Sequence, residues 1–157
     1  MHGTEVFPIA CPEISHDTAR DLAAFEAALE TEAPPTWAEL LQTVGAGLFC
    51  KRLTIRSPSE ALRATKLRRK SWSDETLEKA YPELDAKAAT LVSIACSIDG
   101  DDVVFVAGKP GALLVLPRSY DTTVAVKGLP SVLAYFFRVA RDTDGLTTAI
   151  YEPGKKA

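Results

Sequence analysis

The chain has 157 residues, a length typical of one domain. Hydrophobic residues make up 46% of it and charged residues 25%, ordinary globular proportions that exclude a disordered chain. The formal net charge of −3 is too small to indicate a partner. We expect a single domain over 1–157, with an N-terminal arm at 1–16 and a frayed tail at 152–157.

Charge is distributed unevenly along the chain. Residues 1–50 contain one basic and eight acidic residues, a net charge of −7. Residues 51–80 contain nine basic and four acidic residues, a net charge of +5. This asymmetry predicts surfaces of opposite sign on one molecule.

Helical patterns dominate the first half of the chain. A first helix is predicted over 17–30, where apolar residues recur at helical spacing. The pair Pro34-Pro35 separates it from a second helix over 37–44, which Gly45 ends.

A strand and a basic helix are predicted next. Apolar and polar residues alternate over 48–56, which favours one strand. Ser57 and Glu60 then form a capping-box pattern that starts a third helix over 59–70. A further short helical segment ends before Pro82.

Strands dominate the second half. Apolar runs at 89–98, 103–107 and 112–116 are separated by turns at 99–102 and 108–111, a pattern typical of a β-meander. The remaining predicted elements are a strand at 122–126, a helix at 129–140 and a weak strand at 146–151. This order predicts an α+β fold, a mostly antiparallel sheet with helices packed on one face.

Motifs of catalysis and metal binding are missing from the sequence. His2 and His16 accompany no nucleophile elbow, and no zinc-protease, phosphate-loop, dinucleotide-binding or EF-hand pattern occurs. The cysteines Cys11, Cys50 and Cys96 lack the spacing of a zinc site. We therefore expect a non-enzymatic protein without cofactor or metal, an unrecognised hydrolase being the minor alternative.

Membrane and export signals are also missing. No apolar run approaches the roughly 18 residues of a membrane span, and the first residues carry no basic, apolar leader. We expect a cytoplasmic protein without a membrane partner.

The basic run within 51–70 allows three interpretations: a solvated helix face, a protein-docking patch or a nucleic-acid site. Its side chains would surround a helix rather than form one stripe, and interleaved aromatic residues are missing. Nucleic-acid binding is the least favoured interpretation.

Several segments together resemble the SMI1/KNR4 (SUKH) superfamily over residues 20–140. They are a proline and aromatic run before the second helix, the Gly45-containing turn after it, the segment 55–62, the Asp99-Gly100 turn and a closing helix with Phe136-Phe137. The chain departs from the usual Asn-Gly-Gly turn, and its basic segment is longer than is typical.

The resemblance implies a SUKH-like fold and a non-enzymatic protein-binding module. It implies most directly a bacterial immunity protein that binds and neutralises a cognate toxin. A regulatory or scaffolding interaction domain is the alternative.

Charge alone suggests two groups of partner-contacting residues. The −7 stretch would suit a basic partner, whereas the +5 stretch could face an acidic one. The candidate contacts are Glu26, Glu30, Glu32 and Glu39 in the N-terminal part, and Asp99, Asp101 and Asp102 in the predicted turn.

Overall fold

The computed structural model describes residues 15–119 and 123–156, and side chains from Thr18 onward. Five α-helices lie within these residues: α1 (Ser15–Leu29), α2 (Pro35–Thr43), α3 (Pro58–Ser71), α4 (Asp74–Ala80) and α5 (Leu129–Asp144). The predicted N-terminal arm, with His2 and Cys11, lies outside the described residues except for the start of α1.

The described residues also form one sheet of seven strands. They are β1 (Gly47–Phe49), β2 (Leu53–Ile55), β3 (Leu91–Ser97), β4 (Asp102–Val106), β5 (Lys109–Leu116), β6 (Val124–Val126) and β7 (Tyr151–Pro153). Their order is β6-β5-β4-β3-β2-β1-β7, and every neighbouring pair is antiparallel. The α+β class and the antiparallel sheet are confirmed.

Alternation along β4 divides the core between two faces of the sheet. Val103 and Phe105 join a large apolar cluster with α1, α2 and α5. Val104 points to the opposite face, where it packs in a smaller cluster with Leu77 of α4 and with Tyr81. The prediction of helices on one face therefore holds for α1, α2 and α5, whereas α4 covers part of the other face.

Helix α3 lies beside the part of β3 that β2 does not reach. The pairing of β2 with β3 stops at Ile55 opposite Ala95. The Ser93 amide, beyond that point, instead donates a hydrogen bond of 3.0 Å to Oγ1 of buried Thr65 in α3. A helix thus satisfies a strand amide that a longer β2 would otherwise have paired.

The prediction of one strand over 48–56 was wrong, because the chain turns there and forms the β1–β2 hairpin. Cys50 and Lys51 have φ of +51° and +56°, and the Arg52 amide donates to the Phe49 carbonyl at 3.0 Å. A two-residue turn with left-handed backbone at both central positions matches the twist of the two strands that it joins. Neither residue is the Gly or Asn that usually signals it.

Two further boundaries differ from the prediction. The β4–β5 turn is the pair Ala107-Gly108, with Gly108 at φ +86°, and the predicted turn residues 109–111 belong to β5. Strand β7 includes Glu152 and Pro153, which the sequence predicts as a frayed tail; β7 instead pairs with β1.

Candidate functional site

An open apolar groove lies between α2 and α5. It encloses about 210 Å³. Its lining residues are Thr36, Glu39, Leu40, Thr43, Val44, Leu129, Pro130 and Leu133. We call this the α2–α5 groove; most of its lining is apolar, and Glu39 is its single ionisable residue.

Core contacts and two hydrogen bonds hold the two helices of this groove in place. Trp37 is fully buried, packs edge-on against Phe25 at 5.1 Å between ring centroids, and donates from Nε1 to the Arg56 carbonyl at 3.2 Å. Thr36 Oγ1 accepts the Leu129 amide at 2.8 Å, which joins α2 to the start of α5. The groove is therefore preformed.

The four predicted acidic contacts of the N-terminal part differ in their environments. Glu30, Glu32 and Glu39 are exposed, and Glu39 lines the groove. Glu26 is half-buried, and its Oε2 accepts the Ala33 amide at 2.8 Å. Glu26 thus stabilises the α1–α2 connection, whereas the other three carboxylates form no ion pair or hydrogen bond with the residues that the structure describes.

The segment that contains Glu30 and Glu32 lies at the opposite end of β4 from the acidic β3–β4 turn. Thr31 lies between Glu30 and Glu32. Its Oγ1 accepts a hydrogen bond of 2.8 Å from the amide of Gly108, in the β4–β5 turn. Asp101 lies at the other end, in the β3–β4 turn. Five residues of β4 separate the two ends by roughly 17 Å. One partner patch of ordinary size could include both groups only by spanning the sheet.

Asp102 is not available as a surface contact, which corrects its prediction as a candidate partner contact in the turn. Only 2% of it is exposed. The Ser93 hydroxyl donates to its Oδ1 at 2.6 Å, and the Arg68 guanidinium forms an ion pair with its Oδ2. Burial raises the pKa of Asp102, against the opposing effect of the Arg68 charge.

The other residues of this turn are fixed by local contacts. The Ser97 hydroxyl donates to Asp101 Oδ2 at 2.9 Å, and Asp101 Oδ1 accepts the Arg118 amide at 3.0 Å. Asp99 is exposed but pairs with buried Arg52 at 2.5 Å. Their carboxylates are therefore used within the fold.

A second, basic groove runs along α3. It consists of two adjoining depressions of about 270 and 310 Å³ that share Arg56, Ala64 and Leu67. The first is also lined by Arg68, Ser71, Trp72 and Ser93, and the second by Thr54, Glu60, Arg63, Cys96 and Lys156. We call this the α3 groove.

Contacts within the α3 groove neutralise some of its charges. Lys156 pairs with Glu60, and Arg68 pairs with Asp102. Burial would raise the pKa of Glu60, but hydrogen bonds from Lys156 and Ser57 outweigh it and lower that pKa.

Two of the arginines on which a nucleic-acid site would depend are held by contacts within the fold. Arg52 is 5% exposed and is held by Asp99 and Asp144, and Arg68 is half-buried over the Trp72 ring, 5.2 Å from its centroid. Trp72 also stacks on Tyr81 at 6.0 Å. Because Arg68 and Tyr81 already contact the Trp72 ring, stacking of a nucleic-acid base on this ring would compete with those contacts.

The described cysteines are poor nucleophiles. Burial raises the pKa of both the Cys50 and the Cys96 thiols, so both are protonated near neutral pH. Across residues 15–119 and 123–156, no three His, Cys, Asp or Glu side chains gather as a metal site would require. Within the same residues no helix is both long and apolar enough to cross a membrane.

Comparisons with protein-family models, curated proteins and solved structures found no match to this chain.

The sequence did not predict either groove. Leu40 and Val44 lie on the apolar face of the second predicted helix, but that pattern does not tell which of them are covered by α5. Leu67, an apolar residue within the basic run of α3, is 67% exposed. An apolar residue inside a basic run was the one available signal for the α3 groove.

Proposed function

We propose that this chain is a protein-binding module of the SMI1/KNR4 type, an immunity protein that binds and neutralises a cognate toxin in the cytoplasm. The α2–α5 groove is the observation that carries the proposal. The groove is preformed and mostly apolar, with one carboxylate on its lining. Such a groove suits an apolar side chain of a partner protein as an anchor.

Exposed acidic residues beside and before the groove helix α2 indicate the kind of partner. Glu39 lies on α2 and lines the groove, and Glu30 and Glu32 are exposed on the α1–α2 connection, in the part of the chain with a net charge of −7. A toxin with a basic surface, such as a nuclease, would be attracted by this potential and held by its apolar anchor. Inhibition follows from covering the toxin's own site, since the proposed module needs no catalysis.

Binding to a toxin encoded beside this chain tests the proposal. We would measure the dissociation constant by calorimetry and cell survival by co-expression. Thr43→Arg places a large cation in the groove without removing a buried side chain, because Thr43 is exposed. We expect it to weaken binding at least tenfold and to abolish protection.

Thr143→Arg is the matched control. Thr143 is exposed on α5, the other helix of the groove, but ten residues beyond groove residue Leu133, or about 15 Å along the axis. It should leave both binding and protection unchanged. If the neighbouring toxin does not bind the wild type, the result argues against this function. If the toxin binds Thr43→Arg as tightly as Thr143→Arg, the result argues against this groove as the binding site.

A regulatory or scaffolding role is the second candidate, through the same groove. Capture of a non-toxic cellular protein that Thr43→Arg releases and Thr143→Arg retains would favour it over immunity.

A further inference from the structure

The α3 groove contains a large apolar side chain that the fold leaves uncovered. Leu67 is 67% exposed, the most exposed large hydrophobic residue among those described. It lines both depressions of the groove, together with Arg56. Single exposed leucines are ordinary on protein surfaces, but one placed between cations gives this groove an apolar contact that a charged peptide can use.

Two cations of the groove form no ion pair within the described residues, although the Arg56 charge acts at longer range on buried Asp102. The guanidinium groups of Arg56 and Arg63 make no ion pair or hydrogen bond within residues 15–119 and 123–156. The two remaining cations of the lining, Arg68 and Lys156, are occupied by carboxylates. The groove therefore presents a net positive charge with two unused donors.

The backbone of Arg56 is fixed on both sides. Its amide donates to the Ile94 carbonyl at 2.9 Å, and its carbonyl accepts from Trp37 Nε1 at 3.2 Å. A fixed backbone lowers the entropy lost when the side chain binds an anion, and a guanidinium binds carboxylates with paired hydrogen bonds.

We propose that the α3 groove binds an acidic peptide segment of a partner protein, with an apolar side chain on Leu67 and carboxylates on Arg56 and Arg63. Charge complementarity and the exposed leucine support this occupant over nucleic acid. A nucleic-acid strand would use phosphate contacts and ring stacking, and Trp72 already has Arg68 and Tyr81 against its ring. The proposal is independent of toxin binding at the α2–α5 groove.

The test compares three fluorescently labelled probes at low salt: a peptide of Glu-Glu-Leu repeats, polyglutamate and single-stranded dT, all of matched length. The proposal predicts that the Glu-Glu-Leu peptide binds most tightly. Arg56→Ala should weaken both peptides about tenfold, the effect of losing one charge-assisted contact. Lys127→Ala, at an exposed cation outside the groove, is the control and should change neither.

Leu67→Ser distinguishes binding of a peptide that contains leucine from binding of a purely acidic peptide. Because Leu67 is exposed, the variant should keep its fold, which circular dichroism can check. We expect about tenfold weaker binding of the Glu-Glu-Leu peptide and unchanged binding of polyglutamate. The proposal is overturned if dT binds most tightly and ignores Leu67→Ser, if no peptide binds, or if Arg56→Ala and Lys127→Ala behave alike. None of these outcomes bears on the Thr43→Arg test.

Discussion

Arg52 holds the carboxylate of Asp144 with two hydrogen bonds, from Nε to Oδ2 at 2.9 Å and from Nη2 to Oδ1 at 3.1 Å. The third nitrogen, Nη1, bonds to Asp99 at 2.5 Å. One buried guanidinium thereby joins the β1–β2 hairpin, the β3–β4 turn and the end of α5. A residue from the basic run is a structural connection between three parts of the fold.

Replacing this guanidinium should destabilise the protein. We expect Arg52→Ala to lower the free energy of unfolding by about 2 kcal/mol, because hydrogen bonds to charged groups are lost. The half-exposed Asp99 and Asp144 can regain water, which limits the loss. Urea unfolding measures it. Arg63→Ala, at an exposed arginine, should change stability by less than about 0.5 kcal/mol; equal losses would contradict the structural role of Arg52.

Burial of Asp102 should make stability depend on pH. Burial raises its pKa in the folded state above the unfolded value, so the folded protein holds this proton to higher pH. The contribution of Asp102 to stability is therefore greatest at or below its unfolded pKa and falls as pH rises through the folded pKa.

The isosteric variant Asp102→Asn isolates this effect. The unfolding free energy of the wild type minus that of Asp102→Asn should decline from pH 3.5 toward neutrality, with a slope of at most about 1.4 kcal/mol per pH unit. A difference that grows with pH would mean that the ion pair with Arg68 outweighs burial and lowers the pKa.

Gly47 allows β7 to approach β1 closely. A Cβ at this position would lie 2.5 Å from the Glu152 carbonyl oxygen and 2.9 Å from the Pro153 Cα. Gly47→Ala should therefore cost about 2 kcal/mol, the usual range of an overpacked site, and should expose the β7 hydrogen bonds. Hydrogen exchange of the Gly154 amide, which donates to the Ala46 carbonyl at 2.9 Å, reports this.

Gly111→Ala is the matched control for that prediction. No atom lies within 4 Å of the corresponding Cβ, and this glycine is not among those with positive φ. It should leave both stability and exchange of Gly154 nearly unchanged. If the Gly154 amide exchanges at the same rate in Gly47→Ala and Gly111→Ala, the close approach of β7 is not the reason for a glycine at position 47.

Local patterns predicted most elements because their signals lie in adjacent residues. The capping box at Ser57 is present, with Ser57 Oγ accepting the Glu60 amide at 3.3 Å and Glu60 accepting the Ser57 amide at 3.2 Å. The predicted helix 59–70 is accordingly α3 within one residue at each end. Turn chemistry likewise located the β3–β4 hairpin at Asp99-Gly100.

The candidate sites were less predictable because burial of a charge depends on distant partners. Arg52 and Asp102 look like surface residues in the sequence, yet Asp144 and Asp99 pair with the first and Arg68 with the second. The turn at Cys50 was also missed, since its left-handed backbone is imposed by pairing rather than by a glycine.

The helices, the meander, the α+β class and the division of charge along the chain are predictable from neighbouring residues. Which apolar and charged side chains remain uncovered depends on how distant elements pack together. The packing of α2 against α5 leaves one groove open, and the fit of α3 beside the short strand β2 leaves exposed Leu67 and half-buried Arg56 along another. Both grooves are spaces between elements distant in sequence, so no local pattern encodes them.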